Sequence, residues 1–190
     1  MNEILKILID SGAILEGHFL LTSGRHSNKY IEKFRLIEKP MYLDLVCTAM
    51  AKKFLNTKIN VVLGAAIGGI LISGGVGQKL KVKHIFTERI DGKMILRRGF
   101  ELNQKSKVLI VEDIVTTGGS IFELIDIVKA NKSKIVGITS ILDRNDKPVD
   151  FSERYEPLVQ YPVESWEENK MPDWLKNIPL TKPGRSGKKK

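Results

Sequence analysis

The chain has 190 residues, 42% of them hydrophobic and 28% charged, with a formal net charge of +9. These are the proportions of an ordinary globular protein with enough apolar material for one good core. No stretch approaches the ~20 uninterrupted apolar residues of a membrane span, and Met1 to Leu8 lacks the basic and apolar regions of a secretory signal, so a cytoplasmic protein is expected.

Asn2 to Ser11 carries apolar residues at 4, 5, 7, 8 and 9 and stops at Gly12, which predicts a short amphipathic helix. Gly17 to Leu21 reads as a strand, Thr22 to Ser27 as a polar turn, and Tyr30 to Leu36 as a second strand. Pro40 suits the first position of a helix running to about Asn56. Cys47, the only cysteine, sits in that helical pattern. An intramolecular disulfide is excluded, and the pattern favours a buried thiol over a nucleophile.

The rhythm changes at Asn60. Val61-Val62-Leu63 is an apolar strand suited to a sheet covered on both faces. Ile70 to Leu80 reads as a helix, although Gly74, Gly75 and Gly77 work against it. Lys83 to Thr87 is a strand, and Glu88 to Glu101 a charged excursion with Arg89, Lys93, Arg97 and Arg98. Lys107 to Glu112 is a strand, Ser120 to Ala130 a helix and Lys134 to Leu142 a strand. Such alternation predicts an α/β domain with a parallel sheet between helices. Past Asp150 the prolines at 157, 162, 172, 179 and 183 break the pattern, leaving a strand or two and a surface-hugging tail. Five bases (Lys182, Arg185, Lys188, Lys189 and Lys190) and no acid lie in residues 181–190, which reads as a mobile tail. The rest of the chain holds 26 bases against 22 acids, an excess that a small anionic substrate could match as well as a nucleic acid.

The chemistry concentrates in Val108 to Ser120, where four apolar residues lead to Glu112 and Asp113, a Thr/Gly-rich turn, and a helix. Ligands of an open parallel sheet sit beyond the carboxyl ends of its strands. The turn exposes backbone N–H groups and the helix adds its positive end, a combination suited to a phosphate. Gly118 and Gly119 admit close approach, while Thr116, Thr117 and Ser120 add hydroxyl donors. Beside an anion site, two carboxylates suit vicinal ribose hydroxyls, directly or through a divalent ion. One site thus reads as ribose plus 5′-phosphate. The Gly-x-x-x-x-Gly-Lys-Ser/Thr string of a nucleotide triphosphatase is absent, and Gly64 and Gly69 do not fit a dinucleotide fingerprint.

This segment resembles the phosphoribosyl-pyrophosphate motif of type I phosphoribosyltransferases. Glu16 to Ser27 and Glu88 to Phe100 are similar to orotate phosphoribosyltransferases in particular, and the likeness covers roughly residues 10–150. It implies the type I fold: a central, mostly parallel sheet flanked by helices, a small N-terminal hood and a mobile loop. It further implies a single domain over residues 1–165, with a hood at 1–40, a core at 58–145 and an extension at 166–190. The implied reaction joins orotate to the ribose of phosphoribosyl pyrophosphate in pyrimidine synthesis.

By the same resemblance, Glu112 and Asp113 hold the ribose hydroxyls. Ile114, Val115, Thr116, Thr117, Gly118, Gly119 and Ser120 complete the donor-binding run, and Thr116 also meets orotate. Arg144 corresponds to the orotate-binding arginine, whose planar fork fits a carboxylate. His26, in the loop that closes over the ring, is a further orotate contact. Ala66-Ile67-Gly68 corresponds to the pyrophosphate loop, with a non-proline cis peptide near Ala66-Ile67; better-known members carry Lys where this chain has Gly68. Arg89 and Lys93 are the candidate catalytic cations of the 88–101 loop, which in the family reaches across a homodimer. Mg²⁺ is expected, held mainly by substrate oxygens and water rather than by protein ligands. His18 and His84 read as structural, and Trp166 and Trp174 as packing residues.

The implied chemistry is displacement at ribose C1, orotate nitrogen attacking as pyrophosphate leaves. Two other readings share the fold. A phosphoribosyltransferase for a purine base would give Arg144 less to do. A nucleic-acid-binding regulator that senses the donor would need a coherent basic face. Neither nucleic acid nor membrane is the expected partner.

Overall fold

The computed structural model describes residues 2–183; of the expected mobile tail, residues 181–190, the part from residue 184 onward lies outside them, and Thr181 belongs to a short strand. Helix α1, Glu3–Asp10, starts where the Asn2 side chain accepts a hydrogen bond from Ile4 N at 2.9 Å, and it buries Ile4, Ile7 and Leu8 on one face. Strands β1, Ile14–Leu20, and β2, His26–Ile31, form an antiparallel pair. Strand β2 therefore begins earlier than the sequence suggests, and it ends at Ile31. The expected strand over 30–36 is instead a short helix, α2, Phe34–Ile37. The reason is packing: Leu36 and Ile37 are consecutive and both buried, whereas a strand would send them to opposite faces.

Helix α3, Pro40–Lys52, does start on its proline. Strand β3, Val61–Ala65, leads through a cis Ala66-Ile67 peptide into helix α4, Gly68–Leu80. The glycines of α4 that argue against a helix are what let it pack. A Cβ on Gly75 would lie 2.5 Å from Cys47 Sγ, so α3 and α4 meet nearly backbone to side chain. Cys47 is buried, and desolvation pushes its thiol up to about 12, which matches the expected inert thiol.

Strand β4, Lys83–Ile90, and strand β5, Lys93–Leu96, form an antiparallel hairpin around Asp91-Gly92. Both turn residues have positive φ, the requirement of a tight two-residue turn, and Asp-Gly is its sequence signal. The segment expected as a loop is thus largely paired here. Strand β6, Lys107–Val115, helix α5, Gly119–Ala130, and strand β7, Lys134–Asp143, complete the core, with β8, Val159–Gln160, at its edge. Helix α6, Asp173–Lys176, and strand β9, Leu180–Thr181, follow.

Two sheets result. The core sheet has the order β5-β4-β3-β6-β7-β8, parallel except for β4–β5. Its β3 and β6 side chains divide by alternation. Val62, Leu109 and Val111 join the cluster under α1, α3 and α4; Val61, Leu63, Val108 and Ile110 join the cluster under α5. The hood sheet has the order β2-β1-β9, with β9 parallel to β1. Part of the expected extension is therefore the third strand of the hood.

Gly75→Ala should destabilise the protein by about 1–3 kcal/mol through overpacking against Cys47. In chemical denaturation, Cys47→Ala combined with it should recover part of that loss, giving a favourable coupling. Simple additivity of the two substitutions would contradict this packing account.

Candidate functional site

Strand β6 outruns β3, whose pairing with it ends at Gly64↔Val111, so Glu112 and Asp113 stand at the carboxyl edge while still paired to β7 territory. The strand expected to end at Glu112 runs on to Val115, so both acids lie within it and alternation continues through them. Glu112 faces the α5 side, lining a cavity of about 270 Å³ with Thr116, Thr117, Gly118, Gly119 and Ser120. Asp113 faces the α4 side, against Gly68 and Lys33. Both are buried, at 7% and 3% exposure.

The turn between β6 and α5 places Gly118 at the helix N-cap with φ +79°, a conformation that favours glycine. A Cβ there would also meet the Phe151 ring at 2.7 Å. Thr116, Thr117 and Gly119 are exposed around the opening. The α5 terminus, its amides and these hydroxyls line one cavity with the Glu112 carboxyl, and donors of this kind can hold an anion. Burial pushes Glu112 up to about 8, reinforced by the Asp113 charge; the Asp113 N–H that donates to Glu112 Oε1 at 2.9 Å opposes this.

A second cavity, about 390 Å³, opens on the other side of Thr116 and Thr117, lined also by Leu21, Thr22, Arg25, Tyr30, Arg144 and Ser165. Arg144 is half-buried. Among the described residues its Nε is buried without a partner, and no acid pairs with it. Desolvation lowers its pKa, with the Tyr30 phenol opposing. Its neighbours hold the wall still. Asn145 Nδ2 donates to Thr116 O at 2.6 Å and to Asp143 Oδ1 at 2.7 Å, and Arg144 N donates to Val115 O. The hood closes the cavity, Arg25 Nε donating to Ser165 Oγ at 2.9 Å and Ser27 Oγ to Glu164 O at 2.7 Å.

A third cavity, about 640 Å³, lies over the cis peptide, lined by Lys33, Phe34, Ala66, Ile67, Gly68, Glu88, Arg89 and Arg98. Arg89 lines this cavity and the first one. Glu123 pins it at 2.7 Å and also accepts from Met94 N at 2.9 Å, fastening the β4–β5 hairpin to α5. Arg98 and Arg97 pair with Glu88. Lys93 is exposed and lines none of the three cavities.

Most of the candidate residues are thus brought together. Glu112 and Thr116 to Ser120 share the first cavity, Thr116 and Arg144 the second, and Ile67, Gly68 and Arg89 the third. His26 is not among them. It is buried, its Nδ1 lies 2.7 Å from His18 Nε2, and its backbone bridges Trp166. The ring belongs to the hood interior because β2 begins at His26 and turns it inward. The sequence reading missed Lys33. Its Nζ lies 2.5 Å from Asp113 Oδ2, off the hydrogen-bonding direction, so the contact is an ion pair without an aligned hydrogen bond. No sequence pattern links residues so far apart.

Residues 36–158 match the phosphoribosyl transferase domain family. The chain is similar to an orotate phosphoribosyltransferase of Thermoanaerobacter sp. (strain X514), 42% identical over 96% of each chain. It is also similar to one of Chlorobium phaeobacteroides (strain BS1), 42% identical over 95% of this chain and 94% of that one. Among solved structures, orotate phosphoribosyltransferase from Aeropyrum pernix superposes with a TM-score of 0.70 at 22% identity, covering 83% of this chain and 93% of that one. That likeness shows the fold.

The raised Glu112 pKa sets a pH dependence. A carboxyl that ionises more easily unfolded than folded supports the fold below the ordinary carboxyl range, and that support is lost as pH rises through about 8. Glu112→Gln should therefore melt above the unsubstituted protein at pH 9, by on the order of several degrees, with the gap shrinking toward pH 5. A pH-independent gap in scanning calorimetry would contradict the assignment.

Proposed function

The chain belongs to the orotate phosphoribosyltransferases, within the phosphoribosyl transferase domain family, and we propose that it joins orotate to the ribose of phosphoribosyl pyrophosphate. The orotate nitrogen forms a bond to ribose C1 while the bond from C1 to the pyrophosphate oxygen breaks, giving orotidine 5′-monophosphate and pyrophosphate. The observation that carries this reading is Arg144: a half-buried guanidinium with no acidic partner among the described residues, in a cavity that shares Thr116 and Thr117 with the anion cradle. A cation left unpaired in such a place suits an anionic ligand, and the orotate carboxylate matches its fork. A neutral purine would leave it unpaired.

The other roles follow from the neighbouring cavities. Thr116 to Ser120, with the α5 terminus, hold the 5′-phosphate, and Glu112 and Asp113 take the ribose hydroxyls. The cavity over Ile67 and Gly68 receives pyrophosphate, with Arg89 between it and the phosphate cradle. As negative charge builds on the leaving group, the cations and amides around it stabilise it. The hood keeps water from the reacting carbon.

Mg²⁺ supplies charge neutralisation on the leaving pyrophosphate when bound. Among the described residues no three metal-ligating side chains cluster, and the ion would ride on substrate oxygens and water. We place the enzyme as a cytoplasmic homodimer in which the 88–101 hairpin is shared across the interface: Arg89 lines its own chain's cavities, and Lys93, which lines none of them, serves the neighbouring site. Exposed Met41, Leu45 and Leu71 on α3 and α4 offer an apolar surface for that pairing, and no described helix is long and apolar enough to cross a membrane. Residues 1–165 form the catalytic unit in this reading.

Loss of orotate absorbance in the presence of phosphoribosyl pyrophosphate and Mg²⁺ tests the proposal. Arg144→Ala should raise the KM for orotate about ten- to hundredfold while leaving the KM for the donor nearly unchanged. Consumption of adenine or hypoxanthine in place of orotate would refute it.

A further inference from the structure

We propose that Lys33 is the cation that receives the donor's pyrophosphate in this chain, held on Asp113 until the sugar claims that carboxylate. The inference rests on the donor-binding reading of the site given above. Three cations line the cavity over the cis peptide: Lys33, Arg89 and Arg98. Arg98 pairs with Glu88, a carboxylate that Arg97 shares, and Arg89 pairs with Glu123. Neither carboxylate is assigned to the sugar. Lys33 alone is paired with an acid that the ribose hydroxyls would engage.

The geometry makes that pairing exchangeable. Asp113 is 3% exposed, and its Oδ1 already accepts from Ile114 N at 2.6 Å. Its Oδ2 has Lys33 Nζ at 2.5 Å but no aligned hydrogen bond, so this oxygen keeps capacity for a hydroxyl donor. The Lys33 side chain is itself 32% exposed, and Lys33 lines the cavity whereas Asp113 does not. A hydroxyl arriving at Oδ2 and a pyrophosphate arriving in the cavity therefore compete for the two halves of one ion pair. Both come from the same molecule, so the two exchanges are coupled.

Gly68 is what permits the arrangement. A Cβ there would fall 1.8 Å from Asp113 Oδ2 and 3.4 Å from Lys33 Cε. The space that a side chain at 68 would take is filled by the lysine of the hood and the acid of β6. The positive charge of this corner thus comes from Lys33, carried in from α2's N-terminal flank.

Calorimetric titration of the full chain with pyrophosphate in Mg²⁺ tests the proposal without requiring transfer to orotate. Lys33→Met should weaken pyrophosphate about ten- to hundredfold, the loss of one charge-assisted contact. Ribose 5-phosphate, which occupies the α5 cradle, should bind the variant no worse than the parent. The double variant Lys33→Met/Asp113→Asn removes the unpaired acid that the single variant leaves behind. It should remain as weak toward pyrophosphate as Lys33→Met. Recovery of affinity in the double variant would mean that Lys33 serves only as a counterion, and would overturn the proposal. So would equal pyrophosphate binding by Lys33→Met and parent, no binding by the parent, or parallel loss of ribose 5-phosphate. A parent that binds pyrophosphate yet leaves orotate unconsumed would sink the activity reading and leave the Lys33 result standing.

Discussion

Adjacent residues of a strand face opposite sides of its sheet, and this divides the two acids at the end of β6. Glu112 goes to the α5 side and Asp113 to the α4 side, each buried. A buried carboxyl must find a proton, a cation or hydrogen bonds. Glu112 resolves this by keeping its proton to about pH 8, and Asp113 by pairing with Lys33. The rest of the site is arranged around those two solutions. The α5 turn builds its anion cradle over the first, and the cis peptide, Gly68 and the hood build a cavity over the second.

In the proposed reading, the hood is what makes the anion site selective. Arg25 and Ser27 fasten its loop to Glu164 and Ser165, and β9 returns the chain to pair with β1. The cavity holding Arg144 therefore has walls from the beginning, middle and end of the chain. On the other flank, Glu123 ties the β4–β5 hairpin to the helix that carries the phosphate cradle.

Much of this was legible in the sequence. The apolar runs of β3, β6 and β7 sit in a sheet covered on both faces, and only such strands can be apolar on both sides. The Glu112-to-Ser120 run placed an acid and an anion turn together because both are local in sequence. What was not legible depended on distant contacts. Tyr30 to Leu36 reads as a strand until Leu36 and Ile37 are seen packing under α3. The α4 glycines look like helix breakers until Cys47 appears beside Gly75. His26 looks like an exposed ligand until His18 takes its Nδ1. The Asp91-Gly92 turn, by contrast, was a local signal that the charge of the surrounding segment concealed.

A crystal structure with phosphoribosyl pyrophosphate and Mg²⁺ bound examines the proposed exchange at Asp113 directly. The account predicts a ribose hydroxyl within hydrogen-bonding distance of Asp113 Oδ2. Lys33 Nζ should have moved beyond the ~4 Å of an ion pair with that oxygen, toward the pyrophosphate. A donor seated in the site with the Lys33–Asp113 pair still closed would contradict it.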